Sequence, residues 1–288
     1  MLPLRVPSAL EPTHARWNAK NPVRSKIMKT RIFQIDAFTQ RRFAGNPAAV
    51  MPLESFLPDA TLQAIAAENN LAETAFIVPD NGNYRLRWFT PETEVPLCGH
   101  GTLASAAAVM ERIEPARNQV VFHSASGPLT VRRSGEAYVM DFPARLSESV
   151  AAPAGMAEAL GSKPVEVWVN AFNYMAIFES EQELRDLAPD MPAVARLDRS
   201  GVIVTAPGDR AHDFVSRYFA PQKGIPEDPV TGSAHCMLAP YWGKRLGKTE
   251  MLAYQASRRG GEVLCRIVND RIELEGTCVF YLEGEAEI

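Results

Sequence analysis

The sequence predicts an α+β fold made of two similar domains. The first observation is an internal repeat, because residues 87–91 read RWFTP and residues 217–221 read RYFAP, at an offset of 130 positions. The second observation is that each half alternates short strand-like segments with one main helix. Two copies are too few for a solenoid, so the repeat indicates a duplicated domain.

The repeat extends on both sides of this match. Gly101 corresponds to Gly232 after one inserted residue, and a short helical pattern follows each of these glycines. Residues 35–38 (IDAF) resemble residues 169–172 (VNAF), and residues 127–131 (GPLTV) resemble residues 261–265 (GEVLC) more weakly. The segments occur in the same order in both halves, as expected for two copies of one unit.

Alternation of apolar and polar residues predicts the strands of the first half, and helical spacing predicts its helices. The predicted strands are 29–37, 48–51, 71–78, 84–89, 120–123, 129–132 and 138–142. One helix begins with Asp59 as its N-cap and ends at Asn69 and Asn70. A second, alanine-rich helix covers residues 102–110.

The second half follows the same alternation. Its predicted strands are 165–169, 175–179, 201–205, 213–219, 262–268, 271–275 and 277–282, and its predicted helices are 156–160, 181–187 and 233–242. Residues 143–153 begin and end with proline and form the predicted linker. We therefore expect domains at 28–145 and 150–288, and we leave open whether the last strand returns to the first domain. Residues 1–27 lack a periodic apolar pattern and are predicted to be a disordered extension.

Composition argues against several classes of protein. The chain is 46% hydrophobic and 22% charged, as in ordinary globular proteins, and its net charge of −4 argues against nucleic acid as a partner. It has no apolar run of the roughly 18 residues that a membrane-spanning helix needs. Its four cysteines lack CxxC spacing, which argues against a zinc site or a disulfide scaffold and favours a cytoplasmic location.

The turn from Cys98 to Gly101 is the first candidate site. It precedes the alanine-rich helix, where the first backbone N–H groups have no partner within the helix. Gly99 lets a ligand approach the main chain, and His100 can move a proton or bind a carboxylate. We therefore expect this turn, with the Cys98 thiol beside it, to bind an anion.

Further candidates come from two other segments. Glu73 shares a strand face with Ala75 and Ile77, so its carboxylate points where apolar side chains point and must be paired or hydrogen-bonded. In the second copy of the turn, Asp228 and Ser233 lie on either side of Gly232, where each can bind a substrate or cap the helix. If the two turns face one cleft, Glu73 is the best candidate for a general acid/base.

The sequence lacks the motifs that are typical of other kinds of functional site. The third glycine of a dinucleotide-binding fingerprint is missing after Gly99-His100-Gly101, and so is the acidic residue about twenty positions further on. The sequence has no lysine phosphate loop, no nucleophile elbow around Ser233 and no evident cluster of metal-ligating residues. Proton transfer without a cofactor or metal is the chemistry that remains.

Together these motifs resemble the PhzF-like family of phenazine-biosynthesis isomerases, within the diaminopimelate-epimerase-like fold. The resemblance begins at Met28 and rests on IDAF at 35–38, GNP at 45–47, NLAET at 70–74, FTP at 89–91, GH at 99–100 and EDPVTGSA at 227–234. It implies two domains that each wrap a β-barrel-like sheet around a helix, with the active site between them and commonly a homodimer. It also implies a cofactor-independent isomerase acting on a small carboxylate-bearing metabolite, similar to trans-2,3-dihydro-3-hydroxyanthranilate isomerase.

The resemblance also implies roles for individual residues. Glu73 matches the glutamate that moves a proton on the substrate, and Gly99 and Gly232 match the glycines at the two helix starts. The other polar site residues of the family are matched by His100, Asp228 and Ser233.

One departure from related amino-acid epimerases concerns their two cysteines, one in each half. Cys98 matches the first, but aligning the glycines puts Pro229 at the second, which argues against two-thiol racemisation. Two alternatives stay open, namely an epimerase that uses Cys98 as its single thiol and a non-catalytic protein that binds a small molecule.

Overall fold

A computed structural model describes residues 28–209 and 211–288 of the chain. The predicted extension at 1–27 lies outside the described residues. Within them, no helix combines the length and the apolar character needed to cross a membrane.

The first half combines short strands with two main helices. Its strands are β1 Lys29–Ala37, β2 Asn46–Pro52, β3 Glu73–Asp80, β4 Asn83–Phe89, β5 Glu94–Val95, β6 Gln119–Ser124, β7 Gly127–Ser134, β8 Ala137–Pro143 and β9 Glu148–Val150. Its helices are α1 Asp59–Asn69 and α2 Gly99–Ala108, and α2 continues into a π-helical turn, Val109–Ile113.

The second half has the same construction. Its strands are β10 Glu166–Val169, β11 Asn173–Ile177, β12 Gly201–Pro207, β13 Phe214–Ala220, β14 Ile225–Glu227, β15 Glu250–Gln255, β16 Gly261–Val268 and β17 Arg271–Glu287. Its helices are α3 Met156–Leu160, α4 Glu181–Asp186, α5 Met191–Val194 and α6 Gly232–Leu246, with a 3₁₀ turn at Pro221–Lys223.

Seven strands of the first half and the last strand of the chain close into a barrel around α2. They pair in the order β1, β2, β3, β4, β6, β7, β8 and β17, and β17 pairs with β1 to complete the ring. Nine of the ten residues of α2 are buried, and several are alanine, so the helix fits inside the barrel on every side. The barrel therefore holds the N-terminus of α2 in a fixed place.

The second half repeats this strand order and these directions. The parallel pairs β2–β3 and β4–β6 correspond to the parallel pairs β11–β12 and β13–β15, and the remaining pairs are antiparallel in both halves. Helix α6 occupies the place of α2 and packs against β15, β16 and β17. The prediction of two similar α+β domains is confirmed.

A repeated ion pair corrects the alignment of the two copies. Arg87 binds Glu94 through Nε (2.7 Å) and Nη2 (2.6 Å), and Arg217 binds Glu227 in the same way (2.8 and 3.1 Å). The offset grows from 130 to 133 between arginine and glutamate, because the second copy inserts the 3₁₀ turn. The predicted match of Gly101 with Gly232 is therefore wrong, and Gly99 corresponds to Gly232. The residue in the place of Cys98 is then Thr231, not Pro229 as predicted.

The last strand was predicted as two segments, 271–275 and 277–282, and this prediction is wrong. It is one strand, Arg271–Glu287, which pairs with β16 and β8 and then with β1. Gly276 resembles a break in the sequence, but a Cβ there would lie 2.4 Å from the Phe38 ring. Glycine is needed at this position for close packing.

The structure also differs from the sequence prediction at several other elements. Pro58, and not Asp59, is the N-cap of α1, and the short elements β5, β9, α5 and β14 were not predicted. Helix α2 begins at Gly99, three residues before the predicted start, because the Cys98 side chain caps it. Strand β15 was not predicted, since its inward residues include the small Ala253 and give only a weak alternation.

Gly45 fixes the chain just before β2, and we expect Gly45→Ala to destabilise the fold by roughly 2–4 kcal/mol. Gly45 has φ +64°, and a Cβ on it would lie 2.2 Å from the Ala37 carbonyl oxygen. Urea denaturation measures the loss. The matched control is Gly82→Ala, with φ +76° but no atom within 4 Å of the added Cβ. Equal losses in the two variants would contradict this steric argument.

Candidate active site

The two halves enclose a cavity of about 660 Å³. All seven residues that the sequence singled out line it: Glu73, Cys98, Gly99, His100, Asp228, Gly232 and Ser233. The fold thus brings together residues that are as much as 160 positions apart in the chain. Their catalytic and binding roles remain a prediction.

The N-termini of α2 and α6 meet at the cavity. Cys98 is the N-cap of α2 and Thr231 is the N-cap of α6, and a Cβ on Gly99 would lie only 3.6 Å from Cα of Gly232. Since both helix starts carry backbone N–H groups without helical partners, their partial positive charges add at this point. The arrangement can bind a carboxylate.

Glu73 is the first residue of β3 and is only 7% exposed. Ala75 and Ile77, on the same strand face, belong to the main core around α2. The Oε2 atom of Glu73 lies 2.9 Å from Nε2 of His100. This oxygen is itself buried and accepts no well-directed hydrogen bond from the described residues.

His100 is the second residue of α2, and its ring lies between three polar groups. Its Nε2 faces Glu73, while its Nδ1 lies 3.0 Å from Nδ2 of Asn46 and 3.5 Å from Sγ of Cys98. Burial disfavours the charged ring, but Cys98 and Glu73 outweigh this effect and hold the pKa of His100 well above its ordinary value. Of these three neighbours, the Glu73 carboxyl group lies closest to the ring.

Asn46 connects the two halves of the site. Its Nδ2 donates to Oδ1 of Asp228 (2.8 Å) and to the main-chain carbonyl of Val230 (2.9 Å). The Asp228 carboxyl also accepts from Oγ1 of Thr231 at 2.5 Å. Burial raises the pKa of Asp228 to about 6, and Glu73 adds to this rise, while His100 and the hydrogen bonds oppose it.

The Cys98 side chain caps the N-terminus of α2. Its Sγ accepts a hydrogen bond from the main-chain N–H of Gly101 at 3.3 Å, and a Cβ on Gly101 would lie 3.0 Å from that sulfur. Burial, followed by the nearby Glu73 charge, raises the pKa of the Cys98 thiol to about 11. The thiol is therefore protonated at neutral pH.

The family described as "Phenazine biosynthesis-like protein" has a model that matches residues 35–284, most of the chain. The chain belongs to this phenazine biosynthesis-like family. An uncharacterized isomerase of Pseudomonas aeruginosa is 48% identical to it, over 89% of this chain and 98% of the relative. The resemblance seen in the sequence is confirmed.

Solved structures agree with this family membership. A phenazine biosynthesis protein of the PhzF family from Enterococcus faecalis has a TM-score of 0.88 and 45% identity, covering 91% of this chain and 100% of that one. A predicted epimerase from Pseudomonas aeruginosa has a TM-score of 0.71 at 23% identity, over 89% and 99% of the two chains. That likeness supports the diaminopimelate-epimerase-like fold alone.

This member of the phenazine biosynthesis-like family contains a cluster that the sequence did not predict. One ligand atom each from Glu73, Cys98 and His100 lie within 4.8 Å of one another, and all three residues are buried. Carboxylate, thiolate and imidazole are donors that bind zinc. Sequence spacing could not find the cluster, because Glu73 comes from β3 and the other two residues from the start of α2.

Sequence reasoning also missed cavity residues that this family member places beside the predicted ones. Asn46 was only part of a turn motif, and its contacts with Asp228 and His100 depend on the folded chain. Arg145 belongs to the predicted linker, lines the cavity and forms no ion pair among the described residues. Lys223, in the 3₁₀ turn, is also on the cavity wall.

Proposed function

We propose that the chain is a cofactor-independent isomerase or epimerase that moves a proton on a small carboxylate-bearing metabolite. One observation carries the proposal: the buried Glu73 carboxylate lies 2.9 Å from His100, at a cavity where two helix N-termini meet. Isomerase chemistry is further supported by the family membership and by the relative from Pseudomonas aeruginosa that is named an isomerase.

The substrate carboxylate binds at the helix starts, beside Gly99 and Gly232. Backbone N–H groups stabilise the negative charge that builds up when a neighbouring carbon loses its proton. Arg145 strengthens this anion site, since it lines the cavity next to Gly99 and Ser233. The reacting carbon then lies within reach of Glu73.

Glu73 is the general acid/base. Its carboxylate takes the proton from carbon and returns it at another carbon or on another face, so the overall reaction is neutral in protons and electrons. His100 lies 2.9 Å from the Glu73 carboxyl group and orients it towards the cavity. Asp228, with a pKa of about 6, can gain or lose a proton near neutral pH and so relay one, while Ser233 binds the substrate.

The two alternatives differ from this proposal in testable ways. An epimerase based on the Cys98 thiol needs a thiolate, and the raised pKa of Cys98, about 11, argues against one at neutral pH. It requires activity to fall in Cys98→Ser and to survive in Glu73→Gln. A non-catalytic protein would bind ligands without exchanging any of their protons for deuterium.

We further propose that the enzyme works in the cytoplasm as a homodimer, on small molecules and not on nucleic acid. The net charge of −4 supports the last point, since nucleic-acid-binding domains are commonly basic.

The test is solvent deuterium incorporation into a panel of small amino and hydroxy acids that includes dihydro-hydroxyanthranilate, followed by mass spectrometry. We expect deuterium in at least one compound, at the same rate with and without EDTA, because Glu73 needs no metal to move a proton. Loss of exchange in EDTA would assign a catalytic metal to the cluster of Glu73, Cys98 and His100. No exchange with any compound would favour the binding-protein alternative.

A further inference from the structure

A second polar group lies on the cavity wall contributed by the second half. Nζ of Lys223 donates to the Tyr218 hydroxyl (3.0 Å), and this hydroxyl donates to Oδ1 of Asn173 (3.1 Å). Tyr218 and Asn173 are 5% and 2% exposed, and all three residues line the cavity. We call these three residues the Lys223 cluster.

The internal repeat shows that the second half lacks the carboxylate that the first half has at Glu73. Glu73 begins β3, and the register of β3 with β4 and of β12 with β13 puts Gly201 at the corresponding position. Gly201 leaves room for its neighbours, because a Cβ there would lie 2.2 Å from the Tyr218 hydroxyl. The second half thus has no carboxylate where the first half has Glu73.

Lys223 has no counterpart in the first half at all. It lies in the 3₁₀ turn that the second copy inserts between Arg217 and Glu227. Its ammonium group forms no ion pair with any described carboxylate, although Glu92 approaches the main chain at the next residue, Gly224. A lysine on a cavity wall without a counter-ion is available to an anionic ligand.

The unused hydrogen-bond donors of the Lys223 cluster indicate which kind of ligand it can bind. The hydroxyl of Tyr218 uses its one proton on Asn173 and accepts from Lys223, so it fixes both neighbours. Lys223 keeps two N–H groups, and the Asn173 amide nitrogen donates to no described residue, so both still have protons to donate. Several donors and a positive charge at one place suit a carboxylate.

We propose that the Lys223 cluster binds a second carboxylate of the substrate, distinct from the one at the helix starts, so that the substrate class is a dicarboxylate. This inference rests on the proposed function for the identity of the ligand as a substrate. The cavity of about 660 Å³ has room for such a molecule.

Binding of matched probes to the whole protein tests the inference by isothermal titration calorimetry. The pairs are succinate with succinamate, glutarate with glutaramate, and L-glutamate with L-glutamine, which differ only at one carboxylate. We expect at least one dicarboxylate to bind about tenfold or more tightly than its amide, since a charge-assisted contact is lost in the amide. Lys223→Met removes this preference, whereas Lys223→Arg retains most of it.

The matched control is Lys163→Met, which removes an exposed lysine outside the cavity lining and should leave the preference unchanged. A wild-type protein that prefers none of the three dicarboxylates, or a preference that survives in Lys223→Met, overturns the inference. Binding needs no proton transfer, so the two proposals can be told apart. If the protein shows no deuterium exchange but prefers a dicarboxylate through Lys223, the proposed reaction is contradicted and the second carboxylate site is supported.

Discussion

Glu73→Gln is expected to lower the rate of proton exchange by roughly 10²- to 10⁴-fold, the usual contribution of a general acid/base. Glutamine keeps the shape of the side chain but cannot take a proton from carbon. The amide can still donate a hydrogen bond within the site, so the cavity should keep its ligand affinity. Solvent deuterium incorporation, compared between the two proteins on the same compound, measures the loss.

Glu136→Gln serves as the matched control, because Glu136 is an exposed carboxylate of the turn between β7 and β8. It should leave the exchange rate within about twofold of the wild type, as surface changes usually do. A thermal unfolding curve checks that Glu73→Gln is folded. If folded Glu73→Gln exchanges as fast as the wild type, Glu73 is not the base, and Cys98→Ser becomes the next variant to measure.

Acid is expected to destabilise the fold through His235. This residue lies in α6 with no exposed surface, its Nδ1 lies 2.8 Å from the Thr231 carbonyl, and its Nε2 has no partner among the described residues. Burial lowers the pKa of His235 to about 4, with the Thr231 hydrogen bond as a smaller opposing effect. The folded protein therefore favours the neutral form of the His235 ring.

The effect of pH on stability follows from the different proton affinities of His235 in the folded and unfolded states. The unfolded chain binds a proton at His235 near pH 6.5, while the folded chain resists until about pH 4. Stability from this residue is complete above pH 6.5 and is lost as the pH falls towards 4, by about 3 kcal/mol in total. Urea denaturation at a series of pH values between 7 and 4 measures the loss.

His235→Asn should flatten this part of the pH profile, because it removes the titrating ring, even if the variant is less stable at every pH. His123→Asn, at an exposed histidine in β6, is the control and should keep the wild-type slope. A slope that is the same in His235→Asn and the wild type would show that other groups cause the acid sensitivity.

The sequence predicted the architecture well, because the residue patterns within each half and the internal repeat indicate the same fold class. Arg87 and Arg217 mark the same strand in each copy, and the glycines after them mark the helix starts. Gly276 misled the prediction, since a glycine that makes room for Phe38 cannot be told from a turn glycine without the folded chain. The insertion at the 3₁₀ turn likewise became visible only when the Arg217–Glu227 ion pair was placed beside its counterpart.

The candidate site was predicted less completely. Glu73 was found because a carboxylate on an apolar strand face is locally conspicuous, and His100 because it lies between two glycines. Asn46, Lys223 and Asn173 were not found, since polar residues in a turn or at a strand start are common. Their contacts at the cavity distinguish them, and the contacts of Asn46 and Asn173 join residues far apart in sequence.

Strand β17 has a consequence for how the protein forms during synthesis. Residues 278–287 pair with β1, which leaves the ribosome some 250 residues earlier, so the first barrel cannot close until nearly the whole chain has emerged. Until then β1 and β8 each have an unpaired edge, which is a template for aggregation. We therefore expect the N-terminal half to complete its fold only after β17 has been synthesised, and chaperone contact during translation to centre on β1 and β8.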